Sequence, residues 1–213
     1  MVKAIGSDSA HDLANLTDEV LMSRYRDDGT EAVFNELVRR YERELYRYLA
    51  RYIGDANLAD DVFQNTFLQI HLKRGLFEDG RPFRPWLYSI ATHQAIDSLR
   101  KVGRHPALSL DQQVQGSQAG SDAGSLLDLL VNEGVGPLGE LEEQERQQWV
   151  RDSILRLPET LRQTLILAYH QDLKYREIAD ILKIPVGTVK SRLHAAISKL
   201  QEMASSAKRD GKD

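Results

Sequence analysis

Residues 175–200 read YREIADILKIPVGTVKSRLHAAISKL, and the periodicity of this stretch decides the fold. From Tyr175 to Leu182, Ile178, Ile181 and Leu182 share one helical face, and Ala179 is small enough for a second helix to cross closely. Lys183 and Ile184 make a turn. Pro185 then suits the first position of a new helix, where its missing N–H costs nothing, and Gly187 and Thr188 let backbone and hydroxyl approach a phosphate at that helix start. Val189, Leu193, Ile197 and Leu200 recur at i, i+4, i+8 and i+11 and face inward, which leaves Lys190, Ser191, His194 and Ala195 outward, with Arg192 among them in sequence. A helix, a short turn and a second helix with an outward basic face fit the major groove of duplex DNA. An ordinary helical hairpin with a solvated basic face has the same spacing. Charge favours the DNA reading: Arg176, Lys183, Lys190, Arg192 and Lys199 stand here against Glu177 and Asp180, in a chain whose net charge is -4.

The chain has 213 residues, 41% hydrophobic and 28% charged, enough for one large domain or two small ones. No apolar run approaches the ~20 residues of a membrane span, and Met1 to Leu16 has no basic segment followed by an apolar core, so a cytoplasmic protein without membrane insertion is expected. With no cysteine, disulfides and cysteine zinc sites are excluded. His11, His71, His93, His105, His170 and His194 show no metal-ligand spacing, and neither a metal nor a cofactor is expected. Charge is unevenly spread. Residues 81–105 carry Arg81, Arg84, Arg100, Lys101 and Arg104 against Asp97, whereas 106–150 carry eight acidic residues against Arg146.

Outward from the helix-turn-helix, the pattern stays helical, and no alternation of strand period occurs. Thr17 to Asp28 reads as a short helix with Thr17 as N-cap. From about Thr30 to Ile53 the period of 3.6 is carried by Phe34, Leu37, Val38, Tyr41, Leu45, Tyr48, Leu49 and Tyr52, with Gly54 as the stop. Asp55 caps a third helix near Ala56 to Arg74, ending at Gly75, and Pro85 opens a fourth to about Val102. Residues 103–141 are polar and Gly/Ser/Gln-rich, a composition that cannot bury enough apolar surface to fold alone, although Leu126, Leu127, Leu129 and Leu130 suit a short helix or docking segment. Helix resumes from Gly139, and another opens at Pro158. The expected architecture is all-α with two helical domains: a flexible start over 1–16, a first domain over 17–104, an acidic linker over 105–140, a second domain over 141–204 with its helix-turn-helix at 175–200, and a disordered tail over 205–213.

In the first domain, Asp60, Asp61, Gln64 and Asn65 lie away from the apolar stripe and present carboxylates and amides, a face that suits a basic partner or plain water. Beyond them a loop with Phe77 and Phe83 is followed by Trp86 and Tyr88, with Arg100, Lys101 and Arg104 further on. Aromatics among cations suit unstacked bases, where stacking contributes ~1 to 3 kcal/mol per base; core packing is an equal reading for Phe83 and Trp86.

At these residues the chain resembles the extracytoplasmic-function sigma factors of bacterial RNA polymerase. ADDVFQNTF at 59–67 and FRPWLYSIA at 83–91 look like sigma region 2, while Leu157-Pro158-Glu159 with PVGTVKSRL at 185–193 looks like region 4. The resemblance spans about Leu16 to Met203. It implies a promoter-recognition subunit whose partners are core RNA polymerase (the β′ clamp helices and β flap), promoter DNA and an anti-sigma factor, which the family usually has. It further implies core binding through Asp60, Asp61, Val62, Gln64, Asn65 and Phe67. The -10 element would be melted and read by Phe77, Trp86, Tyr88, Ser89, His93, Asp97, Arg100 and Arg104, and the -35 duplex by Gly187, Thr188, Lys190, Ser191, Arg192 and His194. Three positions depart from the family pattern: His93 replaces a frequent Asn, Ala195 a frequent Arg, and Lys174 the Ser or Thr that would pair with Glu177 in a capping box, weakening that helix start by ~1 kcal/mol.

Two other classes compete. A stand-alone helix-turn-helix regulator binds an operator as a dimer, and leaves the first domain unexplained. An enzyme would need Asp60 and Asp61 to converge, yet adjacent helical residues diverge by ~100° and no His or Glu partner stands at i+3 or i+4. No catalysis is expected from this chain.

Overall fold

Short polar side chains and glycines set the helix ends of this chain. Thr17 Oγ1 accepts the N–H of Val20 at 3.4 Å and Asp55 Oδ1 that of Leu58 at 3.0 Å, each satisfying one of the donors that a helix start leaves over. Gly29 and Gly54 follow helix ends at φ +67° and +75°, where a Cβ would be strained. The computed structural model describes residues 10–103, 140–169, 171 and 173–210. Among these, the helices are α1 (Ala10–Ala14), α2 (Asp18–Asp28), α3 (Glu31–Ile53), α4 (Ala56–Lys73), α5 (Phe83–Lys101), α6 (Glu140–Arg156), α7 (Glu159–Tyr169), α8 (Tyr175–Leu182) and α9 (Val186–Asp210), and no strand occurs. They fall into two compact units, one within residues 1–50 and 55–98, the other within 51–54 and 99–213.

The first unit buries the stripe that the period predicts. Leu37, Tyr41, Leu45, Tyr48 and Leu49 of α3 meet Leu21, Met22 and Tyr25 of α2, Val62, Phe67 and Ile70 of α4, and Phe83, Leu87 and Tyr88 of α5, all buried. Each such side chain contributes roughly 1.5–3 kcal/mol by leaving water. Polar groups inside are paired: the hydroxyls of Tyr48 and Thr92 lie 2.7 Å apart, and Tyr88 donates to Glu44 at 2.7 Å. In the second unit, Leu161, Leu165 and Ile166 of α7, Ile178 and Ile181 of α8, and Val189, Leu193, Ile197 and Leu200 of α9 form the core.

Four expectations are corrected. The start is not irregular through Leu16: Ala10–Ala14 is helical, Leu13 is buried, and Arg40 donates to the carbonyls of Leu13, Ala14 and Leu16 at 2.9, 2.9 and 2.8 Å. The fourth helix begins at Phe83, before Pro85, because the N–H of Phe83 donates to Glu19 Oε1 at 3.1 Å and proline is tolerated where first-turn N–H groups lack intrahelical partners. The last helix does not stop near Leu200, and residues 205–210 are not a tail: α9 continues to Asp210. Gln, Glu, Met, Ala and Lys favour helix, and the Ser205 and Ser206 hydroxyls bond back to the carbonyls of Gln201 and Glu202 at 2.9 and 3.1 Å. The start of α8 keeps half of its capping box: Glu177 accepts the N–H of Lys174 at 2.7 Å, and only the half needing an acceptor on an ammonium is lost. The linker, with Leu126, Leu127, Leu129 and Leu130, lies outside the described residues, as does Arg104.

Candidate nucleic-acid interface

Three exposed faces carry the chemistry that the sequence pointed to, one on α4, one on α5 and one on α9. On α4, Asp60, Asp61, Gln64 and Asn65 are exposed, and Asp60 and Asp61 make no ion pair with any described residue. Val62 and Phe67 do not belong to that face: at 0% and 6% exposure they are core, since the apolar positions of an amphipathic helix point the opposite way. The same outward side continues into Leu68, Leu72 and Leu76, which are 51, 63 and 69% exposed. Sequence reasoning missed these leucines, although their i, i+4, i+8 spacing outside the buried stripe was legible.

On α5, Ser89, His93, Asp97 and Arg100 follow at i, i+4, i+8 and i+11 and share a face, half-exposed at Ser89 and open at the other three. The aromatics do not join it. Phe77, Trp86 and Tyr88 are buried, so none offers a ring to a base. Phe77 packs edge-on against Trp86 at 5.2 Å and Phe83 at 6.1 Å, and Tyr88 against Tyr48 at 5.1 Å. Burial and the Glu44 carboxylate together hold the Tyr88 phenol far above its ordinary range. These rings support the loop before α5. That loop is also tied to α2: Arg26 donates to the carbonyl of Phe77 at 3.0 Å and to Asp79 at 2.9 Å, and Ser23 donates to Asp79 at 2.8 Å. Nothing in the sequence pattern marked Ser23 and Arg26 as loop anchors, because their partners lie more than fifty positions away.

In the second unit, α8 closes on Lys183 at φ +53°. The N–H of Ile184 donates to Ala179 at 3.0 Å, and the Pro185 carbonyl accepts from Thr188 and Val189 at 2.9 and 3.1 Å, starting α9 within three residues. Buried Val189, Leu193 and Ala196 fix the inner side. Lys190 is exposed, with Thr188, Ser191, Arg192 and His194 half-exposed around it. Burial lowers the pKa of the Arg192 guanidinium, and guanidinium stays charged at neutral pH regardless. Ser191 Oγ bonds to the Thr188 carbonyl at 3.0 Å, which fixes its rotamer. A Cβ added at Gly187 would meet nothing within 4 Å, so that position is open to close approach from outside. Among the described residues no cluster of His, Asp and Glu could hold a metal ion, and no helix is long and apolar enough to cross a membrane.

Helical units of which one ends in a helix-turn-helix, its second helix aiming cations and hydroxyls outward, define an all-α DNA-reading protein. Residues 37–105 match the sequence model of Sigma-70 region 2, and residues 147–200 that of Sigma-70, region 4. Over 166 residues, 78% of this chain and 86% of the relative, the chain is 34% identical to the ECF RNA polymerase sigma factor SigW of Bacillus subtilis (strain 168). Over 181 residues, 85% of this chain and 91% of the relative, it is 33% identical to the ECF RNA polymerase sigma-E factor of Escherichia coli (strain K12). In fold it is similar to CnrH, solved in complex with the cytosolic domain of CnrY, with a TM-score of 0.62 at 21% identity over 89% of this chain and 97% of that one. A second similar fold is the sigma factor RpoE of Bartonella quintana, solved with the anti-sigma factor NepR, at a TM-score of 0.56 and 22% identity over 81% and 96%. The chain belongs to the extracytoplasmic-function sigma factors, and is therefore an RNA polymerase sigma factor acting in transcription initiation.

Proposed function

We propose that the three exposed faces divide the work of initiation. Asp60, Asp61, Gln64 and Asn65 of α4 dock on the β′ clamp helices of core polymerase. Ser89, His93, Asp97 and Arg100 of α5 read the opened -10 element, held in place by the buried Phe77, Trp86 and Tyr88. Gly187, Thr188, Lys190, Ser191, Arg192 and His194 read the -35 duplex from a second domain, within 141–204, that also meets the β flap. The observation that carries this reading is the separation of the faces: an acidic and amide face on one helix, a mixed polar face on the next, and a cationic face on a helix-turn-helix. Unstacking a base costs a few kcal/mol and capture of the flipped base offsets it, while phosphate contacts hold register and base edges supply sequence. The chain is a cytoplasmic specificity subunit without catalysis of its own, and its natural inhibitor is an anti-sigma protein of the kind bound to RpoE of Bartonella quintana.

Run-off transcription on a promoter library, with core polymerase and with or without this protein, tests the reading. Transcripts that require the protein and share two sequence blocks about two helical turns apart support it. Absence of stimulation on every template, together with no binding to core, would overturn this division of work among the three faces.

A further inference from the structure

One strongly charged surface takes no part in those three faces. Along α3, Arg39, Arg43 and Arg47 stand at i, i+4 and i+8, and all three are exposed. Such positions form one ridge on a helix, with about 6 Å of rise between members. Arg39 bonds to Glu36 at 2.8 Å while 65% of its side chain stays in water. Arg43 and Arg47 make no ion pair or hydrogen bond with any described residue. Between residues 39 and 47 the carboxylates are Glu42, exposed and close enough to act on Arg39, and Glu44, half-exposed. Glu44 is turned away and occupied by Arg84 and Tyr88.

Solvated helix faces are ordinarily stabilised by opposite charges at i, i+4, whereas this ridge sets like charges at both steps, which weakens the helix. Elsewhere in the same unit Arg26 pairs with Asp79, Arg40 with Asp18 and Glu36, and Arg84 with Glu44. Two arginines without a carboxylate partner among the described residues, in line with a third that keeps most of its side chain in water, fit a polyanion that supplies further negative charge.

We propose that Arg39, Arg43 and Arg47 form a phosphate-tracking ridge that grips the promoter backbone independently of base sequence. Each strand of duplex DNA offers a phosphate about every 3.4 Å of axis, a charge density that a row of cations at steps of about 6 Å can follow, and the planar guanidinium fork matches phosphate oxygens. Tyr46, half-exposed between Arg43 and Arg47 in sequence, adds a hydroxyl of the kind that also binds phosphate. The inference rests on the reading that this unit lies on promoter DNA, and it assigns to α3 a share of affinity without specificity.

The test uses the full chain in holoenzyme with core polymerase, titrated onto labelled duplex across a range of KCl. With Arg43→Gln/Arg47→Gln, the slope of log K against log salt should become shallower by about 1.4 to 1.8, on promoter and on duplex lacking both promoter blocks alike, with core affinity and promoter ranking unchanged. Arg43→Lys/Arg47→Lys should keep the wild-type slope; if the lysine pair loses it too, the effect is structural and the proposal fails. An unchanged slope in the glutamine pair overturns it, and weakened core binding with an unchanged slope assigns the ridge to an acidic protein surface instead. Since the slope is also read on non-promoter duplex, loss of promoter selection by wild-type holoenzyme would sink the promoter reading while leaving the ridge separately decided.

Discussion

Arg40 bonds to three main-chain carbonyls and to the carboxylates of Asp18 and Glu36, so one side chain joins α1, α2 and α3. Its counterpart Glu36 is a buried carboxylate whose pKa the Arg39 hydrogen bond, with Arg40 beside it, lowers to about 2. A carboxyl lowered in the folded state stabilises the fold above its unfolded pKa of about 4.5 and loses that contribution as pH falls towards about 2. Urea midpoints of the wild type should therefore drop between pH 5 and 2.5, and Glu36→Gln, weaker at pH 7, should drop less over the same window. Arg40→Ala should cost about 1–3 kcal/mol at neutral pH, the scale of leaving partly buried carboxylates and carbonyls without one partner.

Helices are where function and stability can be separated by experiment. Gly187→Ala in α9 adds a methyl that meets nothing in the protein and improves helix propensity by up to about 1 kcal/mol. The melting midpoint should hold or rise while -35 duplex binding by holoenzyme falls; unchanged binding would remove Gly187 from the interface. Asp60→Lys/Asp61→Lys in α4 should weaken core affinity by about ten- to a hundredfold without shifting the melting midpoint, because both side chains are exposed and unpaired among the described residues; unchanged affinity would sink the docking assignment. Much at this level was legible in the sequence. The buried rows of α3 and α9, the caps at Thr17 and Asp55 and the stop at Gly54 all follow from local chemistry. What escaped reading depends on distant partners: α1 is held by Arg40, the start of α5 by Glu19, and the loop before it by Ser23 and Arg26. Aromatic residues were ambiguous for the same reason, since period alone does not say whether Phe77, Trp86 and Tyr88 meet each other or a base.

For the molecule as a whole, the chain forms two helical units, and the proposed reading faces are divided between them, so that neither alone accounts for a two-block promoter. Tethered readers gain from one another only when something fixes their spacing, and an acidic balance of -4 opposes the phosphate field. Fluorescence anisotropy at fixed salt should show the free chain binding promoter duplex at least about a hundredfold more weakly than holoenzyme does; equal affinities would mean that the chain needs no scaffold. Three leucines then acquire a significance beyond recognition. With Leu68 and Leu72 of α4 and Leu76 just beyond it bare to water, the unaccompanied chain carries an apolar strip of the kind that marks association sites. Sedimentation of the free chain should therefore show self-association that grows with concentration, and a partner that covers the strip should suppress it.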